Sequence, residues 1–166
     1  DAPWRQLVEQ EHIQLIGLQD GIGVELSPEL SITPFLVPHR DEISETVGFR
    51  INGPEKAALH IPDIDHWSAW DVDFKALIAS VDIAWLDGTF FDETELPGRA
   101  LSTIPHPLMT DSMNIFSGLS SALRSRIRFT HLNHTNPACD PSSSAAQVVT
   151  AAGYHIAVDG ESFSLG

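Results

Sequence analysis

Short apolar runs alternate along the chain with glycine, proline and acidic residues, the pattern of β-strands that end in turns. In the first part of the chain this pattern predicts strands over residues 12–18, 23–26, 31–37, 46–51 and 57–61. The last two flank Asn52, Gly53 and Pro54, and a turn is expected there because Gly and Pro disfavour strand continuation. The first part of the chain is therefore predicted to be rich in β-structure.

Helical spacing of apolar residues first appears further along, at Trp70, Phe74, Leu77 and Ile78, and predicts a helix over residues 67–80. Further helices are predicted over residues 110–124, where Thr110 can cap the first turn, and over 141–152, which Gly153 ends. Short apolar runs predict strands at 82–86, 126–130 and 154–158. The loop after the first of them contains Pro97, Gly98, Pro105 and Pro107. Strands followed by alternating helices and strands predict an α/β fold, a sheet with helices packed outside it.

The composition limits the classes of function. The chain has 166 residues with 42% hydrophobic content, enough for one globular core. Its formal net charge of −14 argues against binding to nucleic acid or to an anionic membrane surface. The expected partner is a small-molecule substrate, and a homo-oligomer stays open. No apolar stretch reaches the length of a membrane span and no signal peptide is visible, so the cytoplasm is the favoured compartment.

The single cysteine, Cys139, excludes an internal disulfide and a Cys-rich zinc module. A metal site in this chain would therefore use histidine and carboxylate ligands. Such residues follow the predicted strands, and strand ends in layered α/β proteins are where ligands and metals bind. They lie in five segments: Pro38-His39-Arg40-Asp41, Ile61-Pro62-Asp63-Ile64-Asp65-His66, Leu86-Asp87-Gly88-Thr89, Pro105-His106-Pro107 and His131-Leu132-Asn133-His134-Thr135-Asn136-Pro137.

Each segment also has a plainer interpretation. His39 could be a metal ligand or an acid–base group, but the local sequence favours an exposed loop histidine. Asp63 could bridge two metal ions, or Asp63 or Asp65 could cap the following helix. Asp87 could orient a histidine, or it could form a plain Asp-Gly turn. His106 lies in a stiff proline-flanked loop that suits a proton donor, although prolines also flank surface histidines. The segment that begins at His131 is either a metal site or a polar turn closed by Asn-Pro.

Four motifs, taken in order, resemble the C-terminal half of the metallo-β-lactamase fold superfamily. Within it the likeness is to the family of pyrroloquinoline quinone biosynthesis protein B and its relatives, over essentially the whole chain. The resemblance implies a four-layer αββα sandwich, of which residues 1–166 would be the C-terminal part of one domain. The His-x-His-x-Asp-His signature of the N-terminal half does not occur in this sequence. The motifs are Glu45-Thr46-Val47-Gly48-Phe49-Arg50-Ile51, Leu86-Asp87-Gly88-Thr89-Phe90, the segment His131 to Pro137, and Ala152-Gly153-Tyr154 through Asp159-Gly160.

The resemblance also implies roles for individual residues. His39, Asp63 and His131 resemble metal ligands of the superfamily, with Asp63 as the bridging carboxylate. Asp87 and His106 occupy places similar to the acid and the later histidine that assist proton transfer in phosphodiesterase members. His134 would lie just outside the ligands and orient them. Zinc is the expected metal, with one or two ions in the intact protein, while iron and manganese stay open.

The function implied is that of a metal-dependent hydrolase, in which a metal-activated water attacks a phosphodiester or an ester. Because most ligands of the superfamily are absent from this chain, activity is expected of the intact parent and not of the chain alone. The biosynthesis protein B family usually lacks the histidine and aspartate found here at His39 and Asp63, so the ligand set is closer to that of a hydrolase. A non-catalytic binding module and an iron-dependent oxidative enzyme on the same fold are the alternatives.

Overall fold

In the computed structural model, which describes residues 2–42, 44–96, 98 and 104–166, one mixed sheet runs through the chain. Pro97 of the predicted proline-rich loop lies outside these residues. The strands lie side by side in chain order, antiparallel from β1 to β4 and parallel from β4 to β7. They are β1 (Val24–Ser27), β2 (Leu30–Val37), β3 (Thr46–Asn52), β4 (Ala57–Ile61), β5 (Ile83–Asp87), β6 (Ile127–Thr130) and β7 (His155–Ile156).

Helices occupy the connections between the parallel strands, because parallel neighbours need a crossover. Among the residues that the structure describes, one α-helix lies between β4 and β5, two lie between β5 and β6, and one lies between β6 and β7. None of the helices in the described ranges is long and apolar enough to cross a membrane. The helices are α1 (Ala2–Glu9), α2 (Phe74–Ala79), α3 (Met109–Ile115), α4 (Ser121–Arg124) and α5 (Ser144–Ala151).

One face of the sheet forms the core with helices α2 to α5. Trp67 lies at its centre, edge-on to Phe74 at 5.1 Å and to Phe116 at 5.3 Å between ring centroids. Its indole Nε1 donates a hydrogen bond of 2.8 Å to Ser112 Oγ, which satisfies its buried polar group. Because side chains alternate along a strand, the same strands present His60 and Trp85 on the opposite face. The sheet contributes Leu59, Ile61, Ala84, Leu86, Ile127 and Phe129 to the core.

The predicted α/β class is confirmed, and most predicted strands are found within two residues of their expected bounds. The strand predicted over residues 12–18 is wrong, because residues 13–19 have no regular structure. Leu15 and Ile16 in this run are 70% and 77% exposed. An apolar run forms a strand only where a neighbouring strand pairs with it, and the sheet starts at β1 instead. The strand predicted at 154–158 is reduced to β7.

The predicted helices exist, but each is shorter than its apolar pattern. The helix over 67–80 divides into a 3₁₀ turn and α2, because Asp73 accepts a hydrogen bond from Ala76 N and starts a new helix. The helix over 110–124 divides into α3, a 3₁₀ turn and α4, and Leu108, not Thr110, precedes its first residue. The helix over 141–152 begins only at α5, after the capping side chain of Ser143. Helix α1 is not anticipated by the sequence pattern.

Candidate metal centre

The candidate residues lie at one edge of the sheet. Strands β2, β4, β5 and β6 run in the same direction, so their C-terminal ends meet at that edge. His39 and Asp63 each follow their strand by two residues, Asp87 is the last residue of β5, and His131 directly follows β6. A backbone hydrogen bond of 2.8 Å from Asp65 N to Pro38 O joins the first two loops. Residues far apart in sequence are thereby brought to one place.

His39, Asp63 and His131 are close neighbours at this edge. His39 Nε2 lies 3.8 Å from Asp63 Oδ1, and His131 Nδ1 lies 3.5 Å from the same oxygen. The His39 side chain is 13% exposed, whereas those of Asp63 and His131 are 33% and 47% exposed. His39 is therefore largely buried, whereas Asp63 and His131 form the side of the group that is open to solvent. Their convergence is a feature of the structure, while their role as metal ligands stays a prediction.

Asp87 and His106 form a hydrogen-bonded pair beside this group. Asp87 Oδ2 lies 2.7 Å from His106 Nδ1 and also accepts a hydrogen bond from Ile64 N. Asp87 Oδ1 accepts from both the backbone N–H and the hydroxyl of Thr89. The carboxylate has no exposed surface, and both of its oxygens accept hydrogen bonds. The proline-flanked loop thus delivers His106 to a buried acid.

The surroundings shift the pKa of two histidines in opposite directions. Burial lowers the pKa of His106, but the hydrogen bond to Asp87 and the charges of Asp87, Asp63 and Asp65 outweigh it, so the net pKa lies above the ordinary value. Burial lowers the pKa of His60, and the opposing effect of Asp63 does not cancel it. The neighbours of His106 therefore favour its protonated form.

The hydrogen bonds of Asn136, which had no role assigned from the sequence, hold two of the site loops together. Its side chain is 2% exposed, and Nδ2 donates to Gly88 O at 2.9 Å and to Thr89 O at 3.2 Å. Its Oδ1 accepts from Ala138 N at 2.9 Å. The Asn-Pro pair predicts only a turn. The buried hydrogen bonds to Gly88 and Thr89, just after β5, could not be predicted from it. They fix the loop after β5 against the loop after β6.

The backbone conformation of His131 is unusual, and the backbone of Gly88 is packed unusually closely. His131 has a φ of +60°, a left-handed conformation uncommon for a residue with a side chain. Such strain persists where surrounding contacts hold it, and it concentrates at functional sites. Gly88 packs so closely on β6 that a Cβ atom there would lie 2.7 Å from Phe129 Cβ. The start of the loop after β5 therefore approaches strand β6 as closely as the backbone allows.

Sequence reasoning also gave no role to Asp65 and Thr89. Asp65 Oδ1 lies 3.1 Å from His39 Nδ1, and Thr89 Oγ1 lies 3.2 Å from the Nδ1 atoms of both His106 and His131. The only signal in the sequence is that each lies two residues after a predicted site residue. His134, expected to orient the ligands, is exposed, and within the described ranges its ring makes no hydrogen bond. Its role stays a prediction without a supporting contact.

These side chains fit a divalent cation. His39, Asp63 and His106 can each offer a ligand atom with all three atoms within 4.8 Å of one another, and Asp87, His106 and His131 form a second such group. Ligand atoms around a tetrahedral zinc ion lie roughly 3–4 Å apart, which the 3.8 Å between His39 Nε2 and Asp63 Oδ1 matches. His39 Nδ1 and Asp65 Oδ1 are buried without a well-aligned hydrogen bond. Imidazole with carboxylate is a ligand set that suits zinc.

An open groove of about 1000 Å³ leads away from His131 along the face of the sheet opposite the core. His60, Trp85 and Thr130 line its floor next to His131. Further lining comes from the loop after β6 and from the segment after β7. The groove is large enough for a small molecule that reaches the candidate site from this side.

A family model described as beta-lactamase superfamily domain matches residues 2–132 of the chain. Among curated proteins, the chain is similar to coenzyme PQQ synthesis protein B of Methylorubrum extorquens strain PA1, with 28% identity over 83% of the chain and 51% of the relative. The protein of the same name from Methylobacterium radiotolerans is 30% identical with the same coverage. The chain thus spans about half the length of the curated relatives it matches.

Solved structures give the same picture of the fold. Zn(2+)-bound PqqB from Methylobacterium extorquens superposes with a TM-score of 0.71 and 27% identity, over 92% of this chain and 55% of that one. The metallo-beta-lactamase fold protein YhfI from Bacillus subtilis, at 16% identity, superposes with a TM-score of 0.56 over 80% of this chain and 48% of that one. The sheet and helices described above are therefore those of a metallo-β-lactamase fold, of which the chain covers about half in each structure.

Proposed function

The chain belongs to the beta-lactamase superfamily domain family, and from that premise we propose that it carries metal ligands and the proton donor of a metal-dependent hydrolase. The proposed reaction is the cleavage of a phosphodiester or an ester in a small molecule. The observation that carries the proposal is the convergence of His39, Asp63 and His131 beside the buried Asp87–His106 pair. Since the chain spans about half of its relatives, this activity is assigned to the full-length protein.

In this proposal His39, Asp63 and His131 hold a divalent cation, with zinc as the first choice. The cation supplies Lewis acidity, which lowers the pKa of water and stabilises negative charge on a phosphoryl or acyl oxygen. A carboxylate such as Asp63 has two oxygens and can contact two ions where a second is present. The groove that begins at His131 gives a substrate of small-molecule size access to this edge.

His106 is the proposed general acid. Asp87 Oδ2 accepts the Nδ1–H of His106 at 2.7 Å, so Nε2 is the nitrogen left to give a proton to the leaving group. Asp87 itself is held by Ile64 N and by Thr89, which keeps the acid–histidine pair in one orientation. Asp87 thus orients His106 as a proton donor, although His106 lies beside the proposed metal ligands.

The test compares His106→Ala with His131→Ala in the full-length protein. Loss of a general acid typically lowers turnover by about 10²–10⁴-fold, so His106→Ala is expected to lose activity and keep its metal. His131→Ala is expected to lose both metal and activity. Metal content is measured by mass spectrometry of the purified proteins, and turnover is measured on a nitrophenyl phosphodiester and a nitrophenyl ester.

Equal metal loss in the two variants would make His106 a ligand and contradict its role as the acid. His12→Ala is the control, since His12 is exposed and belongs to none of the segments that form this edge of the sheet. Wild-type protein that contains metal yet hydrolyses neither substrate would contradict the proposed hydrolase reaction.

A contribution to coenzyme PQQ synthesis is the second candidate. It is favoured by the likeness to proteins named coenzyme PQQ synthesis protein B and by the TM-score of 0.71 with Zn(2+)-bound PqqB. The full-length protein would then restore coenzyme production in a bacterial strain that lacks its own synthesis protein B. Failure to restore it, with the protein expressed and folded, would remove this candidate and leave the hydrolase proposal standing.

A further inference from the structure

Each of the site histidines has an oxygen atom beside its Nδ1. For His106 the partner is Asp87 Oδ2 at 2.7 Å, for His39 it is Asp65 Oδ1 at 3.1 Å, and for His131 the nearest is Thr89 Oγ1 at 3.2 Å. Asp65 lies in the loop after β4, Asp87 ends β5, and Thr89 lies just after β5. The same ring atom thus faces an oxygen atom in three separate histidines.

The Thr89 hydroxyl determines where the proton of His131 must be. A hydroxyl has one hydrogen, and Thr89 Oγ1 donates it to Asp87 Oδ1 at 2.8 Å. Toward His131 the oxygen can therefore only accept, so a hydrogen bond between them requires the proton on Nδ1 of the imidazole. The Nε2 atom of His131 is then unprotonated in the neutral ring and free to bind a cation.

The contact between Asp65 and His39 leads to the same assignment. Both His39 Nδ1 and Asp65 Oδ1 are buried, and their 3.1 Å separation is short although their alignment is too poor for a good hydrogen bond. A carboxylate oxygen is an acceptor, so the nitrogen that faces it carries the proton. Nε2 of His39 faces Asp63 instead, at 3.8 Å from its Oδ1.

We propose that Asp65 and Thr89 are positioning residues that hold His39 and His131 by Nδ1, as Asp87 holds His106, so that Nε2 is the nitrogen that each imidazole keeps available. This inference rests on the proposed function for the identity of the centre. His39 and His131 offer Nε2 to the cation, and His106 offers it to the leaving group. Partners that fix ligating histidines in this way typically change metal affinity by about 10–100-fold when they are removed.

The first measurement needs no metal. Two-bond ¹H–¹⁵N correlation spectra of the metal-free chain report which nitrogen of each neutral histidine carries the proton. We expect the proton on Nδ1 for His39 and His131, and we expect His39 to lose this preference in Asp65→Ala and His131 to lose it in Thr89→Val. A proton on Nε2 of His39 or His131 in the wild-type chain would overturn the inference.

The second measurement is zinc affinity by competition with a chromophoric chelator. Asp65→Ala and Thr89→Val are expected to weaken zinc binding by about 10–100-fold, whereas Asp65→Asn and Thr89→Ser, which keep an acceptor oxygen, are expected to recover most of it. Asp71→Ala is the matched control, since Asp71 is an exposed acid in the next loop segment. Affinities of the two test variants within about twofold of this control would overturn the inference.

The two proposals can fail separately. If the wild-type chain and the full-length protein take up no zinc, the proposed function fails, while the proton positions in the metal-free chain still decide the roles of Asp65 and Thr89. If zinc binds but the proton positions differ from those expected, the inference fails and the metal centre stands. Where Thr89→Val does not fold, Thr89→Ser and the wild-type spectra carry the test.

Discussion

Asp87 has no exposed surface, although a buried carboxylate is costly unless its oxygens are hydrogen-bonded. Its contacts come from Ile64 N in the loop after β4, from Thr89 in its own loop, and from His106 in the loop before α3. One side chain therefore joins three segments of the chain. Stability and the arrangement of the candidate site depend on the same residue.

The raised pKa of His106 predicts a pH-dependent contribution to stability in the metal-free protein. The folded-state pKa lies above the ordinary value of 6.5, so the stabilisation is complete below about pH 6.5 and is lost as the pH rises through the folded-state pKa. His106→Gln removes this contribution. The difference in unfolding free energy between wild type and His106→Gln should therefore decrease from about pH 5.5 to about pH 9, measured by urea denaturation with a chelator present.

His134→Gln serves as the comparison, because it makes the same substitution at an exposed histidine of the neighbouring loop. Its difference from wild type should stay nearly constant over this pH range. A constant difference for His106→Gln as well would mean that Asp87 does not hold a proton on His106 in the folded chain.

Most of the residues that could be assigned to this edge from the sequence follow a predicted strand within two positions, whereas His106 is marked by the prolines on either side of it. His39, Asp63, Asp87 and His131 were identified because a polar ligand type ends an apolar run, and the sheet then brings the strand ends together. Asn136 could not be identified, because its bonds to Gly88 and Thr89 cross between loops nearly fifty positions apart. Such contacts depend on how loops fold over the sheet edge, which no local pattern records.

At the scale of elements, strands were predicted more accurately than helices. A strand such as β4 is bounded by turn residues on both sides, so its ends are marked in the sequence. The helical runs contain internal caps, Asp73 and Ser120, whose side chains accept backbone hydrogen bonds and begin a new helix inside an apolar pattern. Apolar periodicity continues across these caps because both pieces pack on the same core.

The junction between β5 and β6 gives a prediction at this scale. A Cβ atom at Gly88 would lie 2.7 Å from Phe129 Cβ and 3.1 Å from Thr130 O, and neither neighbour is the end of a flexible side chain. Gly88→Ala should therefore push the loop after β5 away from β6, and it should lower the unfolding free energy by about 1–3 kcal/mol. Thermal and urea denaturation measure the loss, and zinc affinity reports the displacement of Asp87 and Thr89.

Gly118→Ala is the control for this substitution. Nothing lies within 4 Å of a Cβ atom placed at Gly118, so the alanine variant should match wild type in zinc affinity and differ little in stability. Wild-type stability and zinc affinity in Gly88→Ala would show that the two loops are not in close contact.

At the scale of the whole molecule, the two faces of the sheet differ. The face toward the helices carries the core, but on the opposite face the cross-strand neighbours Leu36 and Val47 are 47% and 37% exposed. Phe163 of the C-terminal segment covers Trp85 of this face, with 6.4 Å between ring centroids. The outer face is therefore apolar and only partly covered within the chain, which favours self-association of the isolated chain despite its charge of −14.

Replacing Leu36 and Val47 together by threonine should shift the isolated chain toward the monomer. Threonine has the β-branched shape that strands favour, and it removes apolar surface at both positions. Sedimentation velocity over a concentration series measures the change. Val148→Thr, at a residue that is 49% exposed on α5, is the matched control and should leave the association unchanged. A wild-type chain that stays monomeric at all concentrations would contradict this prediction.

The order of the strands allows the sheet to assemble one strand at a time as the chain folds. Each strand from β1 to β7 lies beside the one that precedes it in sequence, so none has to be inserted between two strands that are already paired. A chain that leaves the ribosome can extend the sheet at one open edge, strand after strand, with mostly local pairing. His39 and Asp63 are synthesised early, after β2 and β4, whereas His131 is synthesised only after β6. The candidate centre is thus complete only after β6 has left the ribosome, so a chain made only as far as β5 presents an incomplete set of ligands.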